Sequence, residues 1–417
     1  MDIVNYEHVP IKRIGKVITG KTPATSHEEY YGGQYMFISP VELHGGYRVT
    51  KSEKTITEKG LESIKTNSIE GISILVGCIG WDMGNVAMCF EKCATNQQIN
   101  AITQIDAKYN PYYIYYWLCG KKKYLFSIAS VTRTPILSKS TFEEIVIPLP
   151  IKKNQDKIAN ILLKIDQKIT LNKQINDNLE QQAKLLYDYW FTQFDFPDEN
   201  GEPYRSSGGK MVWNEQLKRT IPDGWTTNPL SDIFTFKSGY SFSSDLYEVS
   251  GKYKLLTIKN VQNNGINLNV DNYINVLPDN VPDYCLLKAQ DILMSLTGNV
   301  GRVGIMYADN CLLNQRVALA EPVNINQRVF VYFLLKSDII HKQYEMIANG
   351  SSQQNLSPIE AEKVIIAYNP EVATKFSTLC NEYLNTIVSN LAENQELINI
   401  RDWLLPILMN GQATISD

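Results

Sequence analysis

No run of 18 or more apolar residues interrupts this sequence, and its start lacks a charged segment leading into an apolar one. Neither a membrane span nor a signal peptide can be read, and a cytoplasmic protein is expected. Histidine is scarce: four in 417 residues leave little material for general acid–base chemistry. No Ser-His-Asp or Cys-His grouping can be made out. The seven cysteines, Cys78, Cys89, Cys93, Cys119, Cys285, Cys311 and Cys380, are an odd number without the spacing of a zinc site. They read as reduced, buried thiols; Cys89 and Cys93 could share one face of a helix, but no histidine lies near them, and no metal is expected. A basic excess is missing too. Forty Lys and Arg stand against 44 Asp and Glu, a net charge of −4, so any surface that meets phosphate must be local. Long polar tracts are also missing: 44% hydrophobic and 20% charged residues describe a folded chain with room for two or three domains.

What the chain does have is itself, twice. Pro10-Ile11-Lys12-Arg13-Ile14 leads to Gly20, and Pro229-Leu230-Ser231-Asp232-Ile233 leads to Gly239, about 219 residues later. Tyr35-Met36-Phe37-Ile38 is echoed by Tyr253-Lys254-Leu255-Leu256, and Gly84-Asn85-Val86-Ala87-Met88 by Gly301-Arg302-Val303-Gly304-Ile305. Each is a short apolar strand pattern entered through glycine. Asn96-Gln97-Gln98 aligns with Asn314-Gln315-Arg316, Leu137-Ser138 with Leu356-Ser357, and Pro150 with Pro370. Each half therefore opens with a mixed α/β globule.

After each globule the period becomes helical. Ile158, Leu162, Ile165, Ile169, Asn172, Asn176, Leu179, Ala183, Leu186 and Trp190 recur at alternating steps of four and three, a coiled-coil seam. Adding 218 gives Phe376, Cys380, Tyr383, Ile387, Asn390, Asn394, Leu397, Arg401, Leu404 and Leu408. An Asn in a seam costs stability but fixes register when it meets a polar partner, so Asn172, Asn176, Asn390 and Asn394 predict that the two helices pack together. The alternative is two amphipathic helices that each cover their own globule. Phe196-Pro197-Asp198-Glu199-Asn200-Gly201-Glu202-Pro203 and Ser206-Ser207-Gly208-Gly209 are turn chemistry and read as a linker. About 30 residues of linker can reach back along a helix of about 60 Å, so two antiparallel helices could hold the globules at opposite ends.

Gly15-Lys16-Val17-Ile18-Thr19-Gly20-Lys21-Thr22 satisfies the phosphate-loop pattern. Such a loop must open a helix onto the phosphates, whereas Pro23 and a segment with no apolar stripe follow, and the second copy keeps only Gly239. ATP binding is not expected. Asn110-Pro111-Tyr112-Tyr113 resembles the base-holding loop of amino-methyltransferases without its second proline or a Gly-rich cofactor loop, and Pro111 reads better as the first residue of a helix. Side chains suited to base edges are better represented. They are Lys21, His44, Arg48, Asn96, Gln97, Gln98 and Arg133 in the first globule, and Asn260, Gln262, Asn263, Arg302, Asn314, Arg316, Gln353 and Gln354 in the second. Arg and Lys suit guanine and Asn and Gln suit adenine, although the same residues populate any solvated loop. Lys121-Lys122-Lys123 suits a phosphate contact or a solvated helix end.

The arrangement resembles the specificity subunits of type I restriction–modification enzymes over nearly the whole chain. The likeness is carried by Gly20-Lys21-Thr22-Pro23 with Tyr30-Tyr31-Gly32-Gly33, and by Ile147-Pro148-Leu149-Pro150 with Gln155-Asp156-Lys157-Ile158-Ala159. Leu171-Asn172-Lys173-Gln174-Ile175-Asn176, Asp188-Tyr189-Trp190-Phe191 and Arg401-Asp402-Trp403-Leu404-Leu405-Pro406 extend it. One departure is that Gln155 has no evident counterpart after Pro370. The resemblance implies an α+β chain with a pseudo-twofold repeat, two similar mixed α/β target recognition domains separated by a pair of long antiparallel coiled-coil helices. The boundaries expected are residues 1–150 and 226–370 for the domains, 151–192 for a central helix, 193–225 for the linker and 371–412 for a distal helix. It further implies a non-catalytic subunit whose domains each read half of an asymmetric bipartite site in double-stranded DNA. Two methyltransferase subunits would dock on it, and an ATP-dependent restriction subunit could join. S-adenosylmethionine, ATP and magnesium would be bound by those partners, and no cofactor by this chain. Two other readings stand beside this one: a type II-like system whose partner fuses methylation and cleavage, and a scaffold whose helices bridge proteins without touching DNA.

Overall fold

Short apolar segments punctuated by glycine form strands, and each globule assembles them into the same pair of sheets. The computed structural model describes residues 6–131, 133–262, 265–348 and 355–411. The chain falls into two units, one comprising residues up to Leu171 with those from Gln395 onward, the other Asn172–Asn394.

In the first unit an antiparallel sheet runs in the order Lys16–Thr19, Ile99–Thr103, Ser73–Gly77, Val86–Cys89. Every residue of Ser73–Gly77 and Ile99–Thr103 is buried, as expected of strands covered on both faces. A second sheet orders Lys54–Ile56, Tyr31–Ile38, Cys93–Thr95 and Ser68–Ile69, its central pair parallel. The second unit repeats both sheets: Phe234–Ser238, Val317–Pro322, Ile292–Ser295, Val303–Ile305, and Tyr273–Ile274, Tyr253–Leu256, Cys311–Leu313, Leu286–Leu287. Registers are inherited as well. Met36 opposite Cys93 becomes Lys254 opposite Cys311, each shifted by 218. A two-stranded ribbon joins the start of each globule to its end, Glu7–Pro10 with Val146–Leu149 and Thr226–Pro229 with Ile365–Tyr368.

Four of the helices are α1 (Pro111–Cys119), α2 (Lys152–Tyr187), α3 (Arg328–Leu335) and α4 (Pro370–Met409). Asn110 caps α1, its side chain accepting from the backbone N–H of Tyr112 and Tyr113 at 2.8 and 3.1 Å, with Pro111 in the first helical position. A π-helical turn, Asp188–Thr192, continues α2. No seam position of α2 or α4 is exposed. Among the described residues, no helix is long and apolar enough to cross a membrane.

Within the second unit Asn172 Nδ2 donates to Asn394 Oδ1 at 3.0 Å and to Glu393 Oε2 at 2.6 Å, and Asn390 Nδ2 donates to Asn176 Oδ1 at 2.8 Å. Higher numbers on one helix meet lower ones on the other, so the pair is antiparallel. Adding 218 to Asn172 and subtracting it from Asn394 turns the first Asn–Asn contact into the second, the self-complementary pairing of a twofold axis. Asn176 Nδ2 also donates to the Ile387 carbonyl at 3.2 Å. Asn176→Ala is expected to cost about 1–3 kcal/mol, since it leaves Asn390 without that acceptor; thermal unfolding checks this, and an unchanged midpoint would remove the contact from any structural role.

The segment read as a linker is folded. Phe194, Phe196, Ile221 and Trp225 are buried in the second unit's core, Phe196 stacks on Tyr204 at 4.8 Å, and Met211–Asn214 pairs with Arg219–Pro222 as a hairpin. Isolated aromatics without periodicity still bury large areas. Cys89 and Cys93 do not share a helix face. They end and begin strands around the turn Phe90-Glu91-Lys92, with their sulfurs 3.4 Å apart. The phosphate-loop pattern lies across strand Lys16–Thr19 and opens no helix. A side chain at Gly20 would meet the Asn96 carbonyl oxygen at 2.0 Å, so that glycine serves sheet packing.

The missing counterpart of Gln155 comes from elsewhere in the chain. Gln155 Nε2 donates to the Pro150 carbonyl at 2.8 Å and its Oε1 accepts from Asn110 N–H at 2.9 Å. In the second unit Gln327, just ahead of α3, donates to the Pro370 carbonyl at 3.0 Å and accepts from the Tyr368 hydroxyl at 2.6 Å. A glutamine therefore ties down each long-helix entry, though from opposite sides of it.

Candidate nucleic-acid interface

At one end of the wholly antiparallel sheet in each globule, loops are laced together by backbone hydrogen bonds. In the first unit Gly20 N donates to Ile99 O at 3.0 Å, Cys78 N to Gln98 O at 2.7 Å, and Leu137 N to Cys78 O at 2.8 Å. In the second, Gly239 N donates to Val317 O at 3.1 Å, Leu296 N to Arg316 O at 3.1 Å, and Leu356 N to Leu296 O at 2.9 Å. The same lacing therefore presents different side chains on two copies of one rim.

On the first rim Lys21, Gln97 and Arg133 are exposed, and Gln97 Oε1 accepts from the Thr22 hydroxyl at 2.8 Å. Asn96 Nδ2 donates to Gln98 Oε1 at 2.9 Å, and Asn96 Oδ1 accepts from Gln98 N–H at 3.0 Å, which presets the Asn-Gln-Gln turn. His44 reaches the same region, its Nε2 at 2.8 Å from Asp82 Oδ2. Lys122 donates to Asp82 and to Asn85, each at 2.8 Å, and its hydrogen bond and charge hold the Asp82 carboxyl below the usual carboxylate range. Arg48 is not brought to the rim. It lies beside the turn at the far end of Val86–Cys89, paired with Glu91 and with its guanidinium 4.6 Å from the Phe90 ring centre.

On the second rim Arg316 is exposed, while Asn314 is buried with its backbone carbonyl against Gly239. Oriented to present its oxygen, the Asn299 amide accepts from Arg302 Nη2 at 2.9 Å. Gln262 donates to the Lys259 carbonyl at 3.3 Å in the neighbouring hairpin. Asn260 is turned into its own loop. It is only 5% exposed; its Oδ1 accepts from Thr257 N–H at 2.9 Å and its Nδ2 donates to the carbonyls of Asn267 and Asn269. Its amide holds the loop's shape. The signal was in the sequence, because Thr257-x-x-Asn260 is a capping pattern, and its counterpart Ser39-x-x-Glu42 does the same work. Asn263, Gln353 and Gln354 lie outside the described residues.

Further contacts anchor each globule to the helices of its own unit. Tyr116 on α1 donates to Asp166 at 2.7 Å, and Asp166 also accepts from Arg401 Nη1 at 2.9 Å. Burial, then the Asp166 charge, pushes the Tyr116 hydroxyl well above its ordinary range, so it stays a donor. In the second unit Tyr332 on α3 donates to Glu180 at 2.8 Å, which also pairs with Lys336. Neither cluster is legible in the sequence, because spacing cannot pair residues so far apart. Among the described residues, no group of three or more His, Cys, Asp or Glu is placed to hold a metal ion.

One sheet pair occurring twice, with the same rim carrying unlike side chains, defines a duplicated chain of two similar α/β modules. The model of the type I restriction modification DNA specificity domain matches residues 3–181 and again residues 222–368, and the chain belongs to that family. It is 28% identical over 418 residues to the type I restriction enzyme MjaIX specificity subunit of Methanocaldococcus jannaschii, covering 98% of this chain and 93% of that protein. With the HindI specificity subunit of Haemophilus influenzae it shares 25% identity over 69% of this chain and 74% of that one. The crystal structure of the type I system S subunit from M. genitalium has the same fold, with a TM-score of 0.60 at 20% identity over 98% of this chain and 97% of that one.

Proposed function

We propose that this chain is the DNA specificity subunit of a type I restriction–modification enzyme, each globule reading one half of an asymmetric, bipartite site in double-stranded DNA. The observation that carries this is the rim built twice on one hydrogen-bond plan with different side chains, Asn96-Gln97-Gln98 against Asn314-Gln315-Arg316. Lys21, Gln97, Gln98 and Arg133 would face the first half-site, with His44 at its edge, and Arg302, Arg316, Gln262, Gln353 and Gln354 the second. Paired hydrogen bonds to guanine or adenine edges would supply the selectivity. The antiparallel helices would set the unread gap and present docking surfaces for two methyltransferase subunits. Methyl transfer from S-adenosylmethionine to adenine, and any ATP- and magnesium-dependent restriction, would belong to those partners, and this subunit would act on DNA in the cytoplasm without catalysing a step itself.

Exchanging residues 226–370 for the corresponding domain of another specificity subunit tests the reading. Methylome sequencing of a host carrying the chimera and the methyltransferase is expected to show one half of the modified site changed and the other retained. Change in both halves, or in neither, would contradict independent reading.

A further inference from the structure

On the first rim the loop joining Ser73–Gly77 to Val86–Cys89 is held rigidly. Gly80 and Gly84 adopt φ of 102° and 89°, and Gly80 N donates to Pro135 O at 3.0 Å while Gly84 N donates to Gly77 O at 2.8 Å. At its tip stands Trp81, 71% exposed, its one described ring neighbour being Phe126 at 6.0 Å. A rigid indole presented to water on the rim offers a partner a large apolar contact face at little cost in conformational entropy. The adjoining Asp82 carries ion pairs with Lys122 and His44, which tempers the repulsion an approaching phosphate chain would otherwise meet. In the second globule the loop recurs on Gly298 and Gly301, with φ of 75° and 78°, but Asn299 beside Arg302 takes the place of the indole. One rim thus offers a polar pair where the other offers an apolar face.

Building on the proposed specificity role, we infer that Trp81 is a sequence-determining residue of the first half-site, reading an A·T pair through the thymine methyl group. That methyl is the apolar feature the major groove displays. Trp81 contributes no charge, so its contact discriminates among bases without adding to phosphate binding.

The test uses the chain assembled with its methyltransferase subunits and duplexes in which each thymine of the first half-site is replaced in turn by uracil, which lacks the methyl. The wild-type complex is expected to bind one of these duplexes about fourfold more weakly, the worth of one buried carbon. Trp81→Ala, at an exposed position that leaves folding intact, is expected to bind the parent site about tenfold more weakly and to lose its sensitivity to that uracil. The salt dependence of its binding should not change. A complex indifferent to every uracil, a variant that keeps the uracil effect, or a variant with a shallower salt slope would each overturn the assignment. Absence of any sequence preference in the wild-type complex would instead be the failure of the specificity reading, which distinguishes the two.

Discussion

Gly20→Ala is expected to open the first globule and leave the second closed. The new Cβ would stand 2.0 Å from the Asn96 carbonyl oxygen and 2.2 Å from the Thr95 hydroxyl. The carbonyl belongs to the turn leading into Ile99–Thr103, where it accepts from Ile99 N–H at 3.2 Å, and cannot rotate away as a side chain could. Overpacking against immovable neighbours lies at the severe end of single substitutions, above about 4 kcal/mol, close to the whole stability of an ordinary domain. Hydrogen exchange should find the amides of Lys16–Thr19 and Ile99–Thr103 stripped of protection while those of Phe234–Ser238 and Val317–Pro322 keep theirs. Gly239→Ala should give the mirror result, its Cβ lying 2.3 Å from the Asn314 carbonyl oxygen. Wild-type protection in both variants would mean that the two sheets do not pack as described.

The second large effect is expected from Arg401→Ala. Asp166 is 6% exposed in its side chain and is held by Arg401 and Tyr116, so removing the guanidinium strands a buried carboxylate with one neutral donor. Breaking such a pair costs about 3–5 kcal/mol, whereas replacing both charges with apolar groups costs far less. Arg401→Met combined with Asp166→Leu and with Tyr116→Phe, which removes the buried hydroxyl that Asp166 would otherwise leave without an acceptor, should therefore recover most of the loss measured by denaturant unfolding of Arg401→Ala. A triple variant as unstable as Arg401→Ala would show that the cluster's packing, not its charge, matters there.

Both predictions rest on neighbours that sequence alone could not supply, and this sets what was legible. The repeat was, because the glycines, the Asn-Gln turns and the seam asparagines recur at spacings of 217 to 219 residues under the same physical demand. The parallel pairing of Tyr31–Ile38 with Cys93–Thr95 was not, since strands so distant in sequence leave no local signature. Gln327 gives no sequence signal because it does the work of Gln155 from another element. Among the candidate readers, residue type could not separate exposed side chains such as Gln97, Arg133 and Arg316 from Asn260, whose amide is consumed internally, or from Arg48, which pairs with Glu91. Trp81 is invisible at that level, because an indole in a sequence reads as core.

The proposed function has the paired helices fix the distance between two independently reading globules. It is tested by inserting one heptad between Asn172 and Asn176 and another between Asn390 and Asn394, which preserves the seam and both asparagine contacts. Seven residues lengthen each helix by about 10 Å, or about three base pairs. Methylome sequencing is predicted to return both half-sites unchanged, separated by a gap about three base pairs longer. An unchanged gap with methylation intact would contradict the account.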